Sequence, residues 1–290
     1  MAAEAYVQMK GRRWWREVSW RYLVAVIAII YAAFPIVYVL SASLSERGTL
    51  TGSNTLFEDV TTIQYEALFQ TYFPQWIVNT LVIGGVTAVA TVLMAASAAY
   101  AFSRFRFAGR RGGLTFLLLV QMFPQMLAFI AIFLLLLSLR DVVPILGLNS
   151  RLALICVYLG GALGANTFLM YGFFNSVPKE LDEAAKIDGA GHARIFFTII
   201  LRLVAPVLAV VALLSFVGTF SDYILAGIVL QDQDKLTISV GLARFIAGQF
   251  DARWGIFAAG AVISAVPILL LFLFLQRYIV GGLTAGSVKG

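Results

Sequence analysis

Long apolar runs alternate with short polar segments along this chain. Six runs reach the length of about 17–25 residues with which an α-helix crosses the hydrocarbon core of a bilayer. They lie at 22–44, 76–102, 114–139, 152–176, 203–230 and 255–276. Because these runs are continuous and do not alternate with a period of two, they indicate helices and not the strands of a membrane β-barrel. The pattern therefore predicts an all-α polytopic membrane protein with six transmembrane helices.

The composition agrees with this pattern. Of the 290 residues, 61% are hydrophobic and 12% are charged, whereas soluble domains average about 25% charged residues. A soluble globular chain and a disordered chain are both excluded, because neither stays solvated with so few charges. The formal net charge of +6 is typical of the basic cytoplasmic segments of membrane proteins and does not indicate a nucleic-acid partner.

The distribution of basic residues predicts the orientation of the chain. Fifteen of the 21 Lys and Arg residues lie in the N-terminal tail, the second and fourth connections and the C-terminal tail. The first, third and fifth connections hold the other six. Because cytoplasmic segments carry the excess of Lys and Arg, both termini are expected in the cytoplasm.

The predicted spans divide the chain into three parts. Residues 1–75 form an N-terminal tail, the first helix and a long periplasmic loop, in which 60–70 is expected to form an amphipathic surface helix. Residues 76–277 form a core of five helices, and residues 278–290 form a flexible, glycine-rich cytoplasmic tail. The last external connection, 231–253, is long and polar.

Few residues of this chain suit metal binding or catalysis. The single cysteine, Cys156, excludes an internal disulfide, and the single histidine, His192, excludes a Cys/His metal cluster. A membrane enzyme would need a buried catalytic constellation, and a secondary transporter would need a chain of intramembrane ionisable groups. Asp222 is the one acid within the predicted spans, so both classes are disfavoured.

The cytoplasmic loop 178–197 differs from an ordinary membrane turn. Pro178 and a cluster of acids suit the start of a short helix, because proline tolerates the first turn and acids favour its positive end. Gly189 supplies a bend, and a second helical turn leads into Phe196 and Phe197. From the residues alone, such a helical hairpin is either a knob for a cytoplasmic partner or a solvated connection.

This loop resembles the EAA loop of ABC importer permeases. The motif is carried by Glu183, Ala184, Ala185, Asp188 and Gly189, with Ile199 ten positions after the glycine. Family members have Leu-Pro where this chain has Leu201-Arg202, a departure that affects the entry of the next helix and leaves the crest of the hairpin intact. Asn79-Thr80-Leu81, the small residues of 95–104 and the end of the chain, 276–290, are similar to the MalG-type permeases of bacterial carbohydrate importers.

The resemblance implies a type I ABC importer permease fold in the bacterial inner membrane and a non-catalytic role. The chain has no Gly-rich Lys-Ser/Thr phosphate loop, so no nucleotide site of that kind is expected. The resemblance implies that the chain binds no cofactor itself and that a partner uses ATP and Mg²⁺. The implied partners are a MalF-like second permease, a homodimeric MalK-like ATPase and a periplasmic or lipid-anchored sugar-binding protein. The implied cargo is maltose or maltodextrin, translocated by alternating access. The alternatives are trehalose, glycerol phosphate or another oligosaccharide.

The resemblance also implies functional residues. ATPase coupling falls to Glu183, Ala184, Ala185, Asp188, Gly189, Phe196 and Phe197. Further ATPase contact by the C-terminal tail falls to Thr284, Ala285, Gly286 and Lys289, and contact with the binding protein to Ala247, Gly248 and Gln249. Three polar residues of the spans are candidates either for the translocation path or for bonds between helices, because such groups are costly in lipid: Asp222, Gln121 and Gln125.

Overall fold

A computed structural model describes residues 18–46, 55–248 and 252–287, with the backbone alone for 280–287. The prediction of an all-α protein is confirmed. Within these ranges the one β-type pairing is an isolated bridge between Ser45 and Val60.

Twelve helices follow one another in the described ranges. They are α1 (Ser19–Ser43), α2 (Ile63–Phe69), α3 (Phe73–Arg104), α4 (Arg110–Gln121), α5 (Gln125–Val142), α6 (Arg151–Ser176), α7 (Glu180–Ile187), α8 (His192–Leu203), α9 (Ala205–Ser221), α10 (Ile224–Val229), α11 (Ile238–Ile246) and α12 (Trp254–Ser287). A single 3₁₀ turn, Pro144–Leu146, links α5 to α6, and α8 contains a π-helical turn at Phe196–Ile200.

Five of the described helices are long and apolar enough to cross a membrane: α1, α3, α5, α6 and the part of α12 over Trp254–Ile279. A sixth span results if α8 and α9, which meet at an angle of 80°, are counted as one broken span. The described residues therefore contain five or six candidate membrane spans, against the six predicted for the chain.

The third predicted span, 114–139, is wrong as a continuous helix. It is divided into α4 and α5 at Pro124, whose backbone is extended at ψ 111°. Proline lacks the N–H of the helical ladder and disfavours helical backbone in the residue before it. Apolar character alone does not reveal this break, because both halves remain hydrophobic.

The fifth predicted span, 203–230, is also divided. Helix α9 ends at Ser221, Asp222 is extended at ψ 124°, and the short helix α10 follows. At the other end of the chain α12 continues as a helix to Ser287, through most of the segment 278–290 that the sequence predicts as a tail.

Two compact units are present, one comprising residues up to Leu68 with Arg253–Val262 and the other comprising Phe69–Ala252 with Ile263 onwards. In the first unit the helix predicted within 60–70 is present as α2, and its position at the outer surface stays a prediction. The hydroxyls of Ser43 and Tyr65 are 2.8 Å apart and join α1 to α2. The N–H of Phe57 donates to the Ser41 hydroxyl at 2.7 Å.

The second unit is built on α3, α6 and α9, which pack along one another. Its main apolar core lies where these helices meet α7 and α8. The buried members are Ala95, Ala96, Ala99, Tyr100, Met170, Phe174, Val177, Ala185, Ile195, Phe196, Ile200, Val204, Val207 and Val211. The loop with the EAA-like motif is therefore seated on the core of this unit.

The connection 231–253 is more ordered than the polar loop that the sequence predicts. Helix α11 buries one face, and two side chains of α3 bind the segment before it. Trp76 Nε1 donates to the carbonyl of Gln233 at 2.6 Å, and Asn79 Nδ2 donates to the carbonyls of Asp234 and Leu236 at 2.8 and 2.9 Å. These bonds hold one end of α3 against the connection.

Candidate functional site

The predicted helical hairpin is present at 180–203. Helix α7 ends at Ile187, Gly189 adopts a left-handed backbone at φ +78°, and α8 begins at His192. Residues with a Cβ pay roughly 1–2 kcal/mol in this conformation, which explains the glycine at the bend. The acids near the start of α7 and Lys186 near its end match the helix dipole.

A buried ion pair anchors the hairpin to α3. Asp182 Oδ2 lies 2.6 Å from Arg104 Nε, and the exposed fractions of the two side chains are 9% and 5%. Arg104 Nη2 also donates to the carbonyl of Val177 at 3.0 Å. Arg104, at the end of α3, thus binds both α7 and Val177, the residue that follows α6.

Sequence reasoning missed this pair. In the sequence, Arg104 counts among the basic residues that predict orientation and ends the MalG-like segment 95–104, and Asp182 counts among the acids near the start of a short helix. Helical spacing is the signal in the sequence, because residues three positions apart, such as Asp182 and Ala185, share one face of a helix. The structure shows that both residues are buried.

A row of aromatic rings continues the anchor. The His192 ring meets Phe105 edge-on at 5.0 Å, Phe105 meets Tyr100 at 5.7 Å, and Tyr100 meets Phe196 at 5.0 Å. Such pairs prefer edge-on and tilted geometries and are worth about 0.5–1.5 kcal/mol each beyond their burial. Both arms of the hairpin are therefore held by the end of α3.

The structure divides the predicted coupling residues into two sets. Ala185 and Phe196 are buried at 8% and 7% exposure within the chain. The remaining members, Glu183, Ala184, Asp188, Gly189 and Phe197, are exposed. The buried pair packs the hairpin onto its own core, and the exposed set forms the surface that remains accessible.

An exposed isoleucine that the motif does not include stands on the same surface. Ile187 is 88% exposed and lies one helical turn after Glu183, and Phe197 is 59% exposed. Large apolar side chains beside charges on an otherwise polar hairpin are typical of an interaction surface. We call Glu183, Ala184, Ile187, Asp188 and Phe197 the hairpin surface.

The other predicted contacts lie elsewhere. Thr284, Ala285 and Gly286 fall in the last turns of α12, and Lys289 lies outside the described residues. Ala247 and Gly248 directly follow α11, whereas Gln249 lies outside the described residues. Their roles stay predictions.

The three intramembrane polar residues have different surroundings. Asp222 caps α10, because its Oδ1 accepts the N–H of Ala226 at 2.8 Å. Gln121 Nε2 donates to the carbonyl of Gly161 at 3.4 Å and so joins α4 to α6. Gln125 begins α5 and is exposed.

Asn79 and Thr80 have a structural function that the resemblance alone does not explain. Beside the Asn79 bonds, the Thr80 hydroxyl accepts the N–H of Ile238 at 2.8 Å at the start of α11. On the far side of the connection, Asn149 Oδ1 accepts the N–H groups of Gln231 and Asp232 at 3.1 Å. Lys235, 3.1 Å from the Asp232 carboxylate, and Asn149 lower the pKa of Asp232.

No group of three or more His, Cys, Asp or Glu side chains among the described residues has the arrangement of a metal site. The polar chemistry of the hairpin is that of ion pairs and hydrogen bonds.

Known proteins match this chain along nearly its whole length. It is 40% identical over 287 residues to the galactooligosaccharides transport system permease protein GanQ of Bacillus subtilis (strain 168), covering 97% of this chain and 99% of the relative. It is 36% identical over 301 residues to the maltose/maltodextrin transport system permease protein MalG of Salmonella typhimurium (strain LT2), covering 99% and 100%.

A solved structure shows the same fold. The chain superposes with a TM-score of 0.75 and 24% identity on a chain of a bacterial ABC transporter involved in the import of the acidic polysaccharide alginate, covering 93% of this chain and 99% of that one. The predicted ABC importer permease fold is confirmed. Residues 88–284, which include the hairpin, match the family described as binding-protein-dependent transport system inner membrane component. The chain belongs to this family of inner-membrane permeases.

Proposed function

We propose that this chain is the permease subunit of an importer of neutral oligosaccharides of the maltodextrin or galactooligosaccharide type. The cargo class is supported by the two relatives, which are permeases for galactooligosaccharides and for maltose and maltodextrin. The observation that carries the coupling role is the hairpin, which is anchored by a buried ion pair on one side and exposes Glu183 and Ile187 on the other.

The proposed assembly has four kinds of component. A second, MalF-like permease completes the membrane part, and a homodimeric MalK-like ATPase binds and hydrolyses ATP with Mg²⁺. A sugar-binding protein delivers the oligosaccharide from the opposite side. This chain supplies no catalytic group. The excess of basic residues in the two tails and in the second and fourth connections supports the proposal that both termini lie on the ATPase side.

In the proposed mechanism the hairpin surface docks on one ATPase subunit. Closure of the ATPase dimer moves the hairpin, and the Arg104–Asp182 pair transmits the displacement to α3. Because α3 packs along α6 and α9, the three helices move together and change access to the path between the subunits. ATP bound to the ATPase and the sugar-loaded binding protein, which act on opposite sides of the membrane, shift the same equilibrium between the two access states.

Substitution of Ile187 tests the docking surface. Burial of an isoleucine side chain stabilises a contact by about 1.5–3 kcal/mol, so Ile187→Asp is expected to weaken ATPase binding by about 10- to 100-fold. The measurement is the affinity of the ATPase for purified permease pairs in nanodiscs, followed by ATP-driven uptake in proteoliposomes. Ile145→Asp is the matched control, since Ile145 is 62% exposed in the turn between α5 and α6.

Two results would contradict the proposal. Wild-type ATPase affinity in Ile187→Asp would show that the hairpin surface is not the docking site. Equal losses in Ile187→Asp and Ile145→Asp would show a general effect of a new charge. For the cargo, ATP- and binding-protein-dependent uptake of maltotriose or of a galactotriose is expected, and uptake of neither would contradict the substrate class.

A further inference from the structure

A polar cavity lies between α3, α6 and α9, within the segments that cross the membrane. Its volume is about 270 Å³. Six polar side chains line it: Thr87, Tyr158, Asn166, Ser215, Thr219 and Asp222. This volume is just below the range of about 300–1,000 Å³ of small-molecule pockets, so the cavity suits a part of an extended ligand and not the whole of it.

Several lining groups have unused hydrogen-bonding capacity. The Thr87 side chain is 2% exposed, yet its hydroxyl has no hydrogen-bond partner among the described residues. The buried Tyr158 hydroxyl lies beside the Asp222 carboxylate, so these two polar groups face the cavity together. Asn166 uses its amide N–H to bind the carbonyl of Ala162 at 2.8 Å, which leaves its oxygen as an acceptor. Buried polar groups are normally paired, and an exception calls for a ligand or water.

The membrane depth of the cavity strengthens this argument. Thr87 lies near the middle of α3, and no water is present in the hydrocarbon core to solvate its hydroxyl. Polar side chains at such depth face a water-filled path or another polar group and do not face lipid. The cavity is therefore expected to open towards the translocation path.

The charges of the lining select among ligands. Of the nine described residues that line the cavity, one is acidic and none is basic. Asp222 commits its Oδ1 to the N–H of Ala226, and its second carboxylate oxygen accepts further hydrogen bonds. A carboxylate without a basic neighbour repels acidic sugars and phosphorylated solutes and accepts hydrogen bonds from neutral hydroxyls.

We propose that this cavity is a transient subsite for the hydroxyl groups of a neutral oligosaccharide during translocation. The proposal rests on the proposed function and adds that this chain itself contacts the cargo. Hydroxyls of Thr87 and Tyr158 donate to or accept from sugar hydroxyls, and Asp222 accepts from them. The capping role of Asp222 is compatible with this second role, because the two roles use different oxygens.

Isosteric substitutions distinguish a ligand contact from a structural role. Thr87→Val removes a hydroxyl that has no partner among the described residues, so protein stability is expected to stay the same or to rise. Tyr158→Phe also removes a contact with the Asp222 carboxylate, so its uptake is compared with that of Thr87→Val and is not interpreted alone. Thr91→Val and Thr167→Val are the matched controls. Thr91 lies in α3, like Thr87, and Thr167 lies in α6, like Tyr158. Both side chains are buried, have hydroxyls without a hydrogen-bond partner among the described residues, and do not line the cavity.

The experiment uses the complete transporter in proteoliposomes with saturating binding protein. The probes are maltotriose and a galactotriose, and the readouts are initial uptake, sugar-free ATPase rate and thermal unfolding of the complex. Each cavity variant is expected to lower uptake about fivefold to tenfold, which corresponds to the loss of one hydrogen bond. For Thr87→Val the ATPase rate and the unfolding temperature are expected to match wild type, and the control variants are expected to transport normally.

Three results would overturn the proposal. Normal uptake by Thr87→Val and Tyr158→Phe would show that the cavity makes no important contact with the cargo, while the proposed function would stand. A parallel fall of the ATPase rate or of the unfolding temperature would assign the hydroxyls a structural role. Failure of the wild-type transporter to import either probe would refute the proposed function, and the sugar subsite with it.

Discussion

The buried pair of Arg104 and Asp182 makes the sharpest prediction about coupling. Removing one partner of such a pair leaves an uncompensated buried charge and costs about 3–5 kcal/mol. With exposed fractions of 5% and 9%, solvent does not screen this cost. We expect Asp182→Asn to release α7 from the end of α3 without unfolding the spans, because the pair lies at their edge.

The assay is amide hydrogen exchange of residues 183–188 in the purified complex. Since about 1.4 kcal/mol corresponds to a factor of ten, exchange in α7 is expected to accelerate by a factor between about 10² and 10⁴. Exchange in the middle of α6 is expected to stay unchanged. In proteoliposomes the same variant is expected to hydrolyse ATP with little sugar uptake, because the hairpin no longer moves α3.

A double variant separates anchoring from charge. Arg104 Nη1 and Asp182 Oδ1 have no hydrogen-bond partner among the described residues, so the pair is incompletely satisfied. Replacement of such a pair by apolar side chains of similar volume is often neutral or stabilising. Arg104→Met combined with Asp182→Leu is therefore expected to restore protection of α7. Unchanged exchange in Asp182→Asn, or a double variant as unprotected as the single one, would refute the anchoring argument.

Two glycines carry further predictions. A Cβ at Gly241 would overlap the Trp76 ring, so Gly241→Ala is expected to displace α11 at a cost of about 1–3 kcal/mol. Protease sensitivity of 231–248 measures this, with Gly227→Ala, whose Cβ would lie 3.7 Å from its neighbour, as the control; equal sensitivity in both variants would contradict the prediction. Gly189→Val is expected to lower coupled uptake, since valine is strained at φ +78°, whereas Gly189→Asn is expected to retain most of it because asparagine tolerates this backbone. Uptake that is the same in both Gly189 variants would show that the bend does not depend on left-handed backbone.

Much of the fold was predictable from the apolar pattern. Spans near 22–44, 76–102 and 152–176 correspond to α1, α3 and α6 within a few residues. These segments are long, continuous and free of charge, so local hydrophobicity and the length of a bilayer determine them. The breaks at Pro124 and Asp222 were not predicted, because a single polar or proline residue in an apolar run is compatible with a kink, a cap or an uninterrupted helix.

The candidate site was predictable in part. The helix, glycine bend and helix of the hairpin follow from local preferences for proline, acids and glycine, and the structure shows them at 180–203. Which side chains are buried did not follow from the motif. Ala185 and Phe196 belong to the core, and Ile187, outside the motif, is the most exposed large apolar residue of the hairpin.

Three properties follow from the sequence alone: the chain is helical and apolar enough for the bilayer, a hairpin rich in charged residues lies between two spans, and the chain resembles a known family. These properties reside in composition, periodicity and short-range spacing. The folded structure was needed to show that Arg104 pairs with Asp182 across 78 positions and that Asn79 binds the carbonyl of Leu236. It also placed Thr87, Tyr158 and Asp222 around one cavity. Such contacts depend on how separate helices are placed against one another, and no local preference encodes that placement.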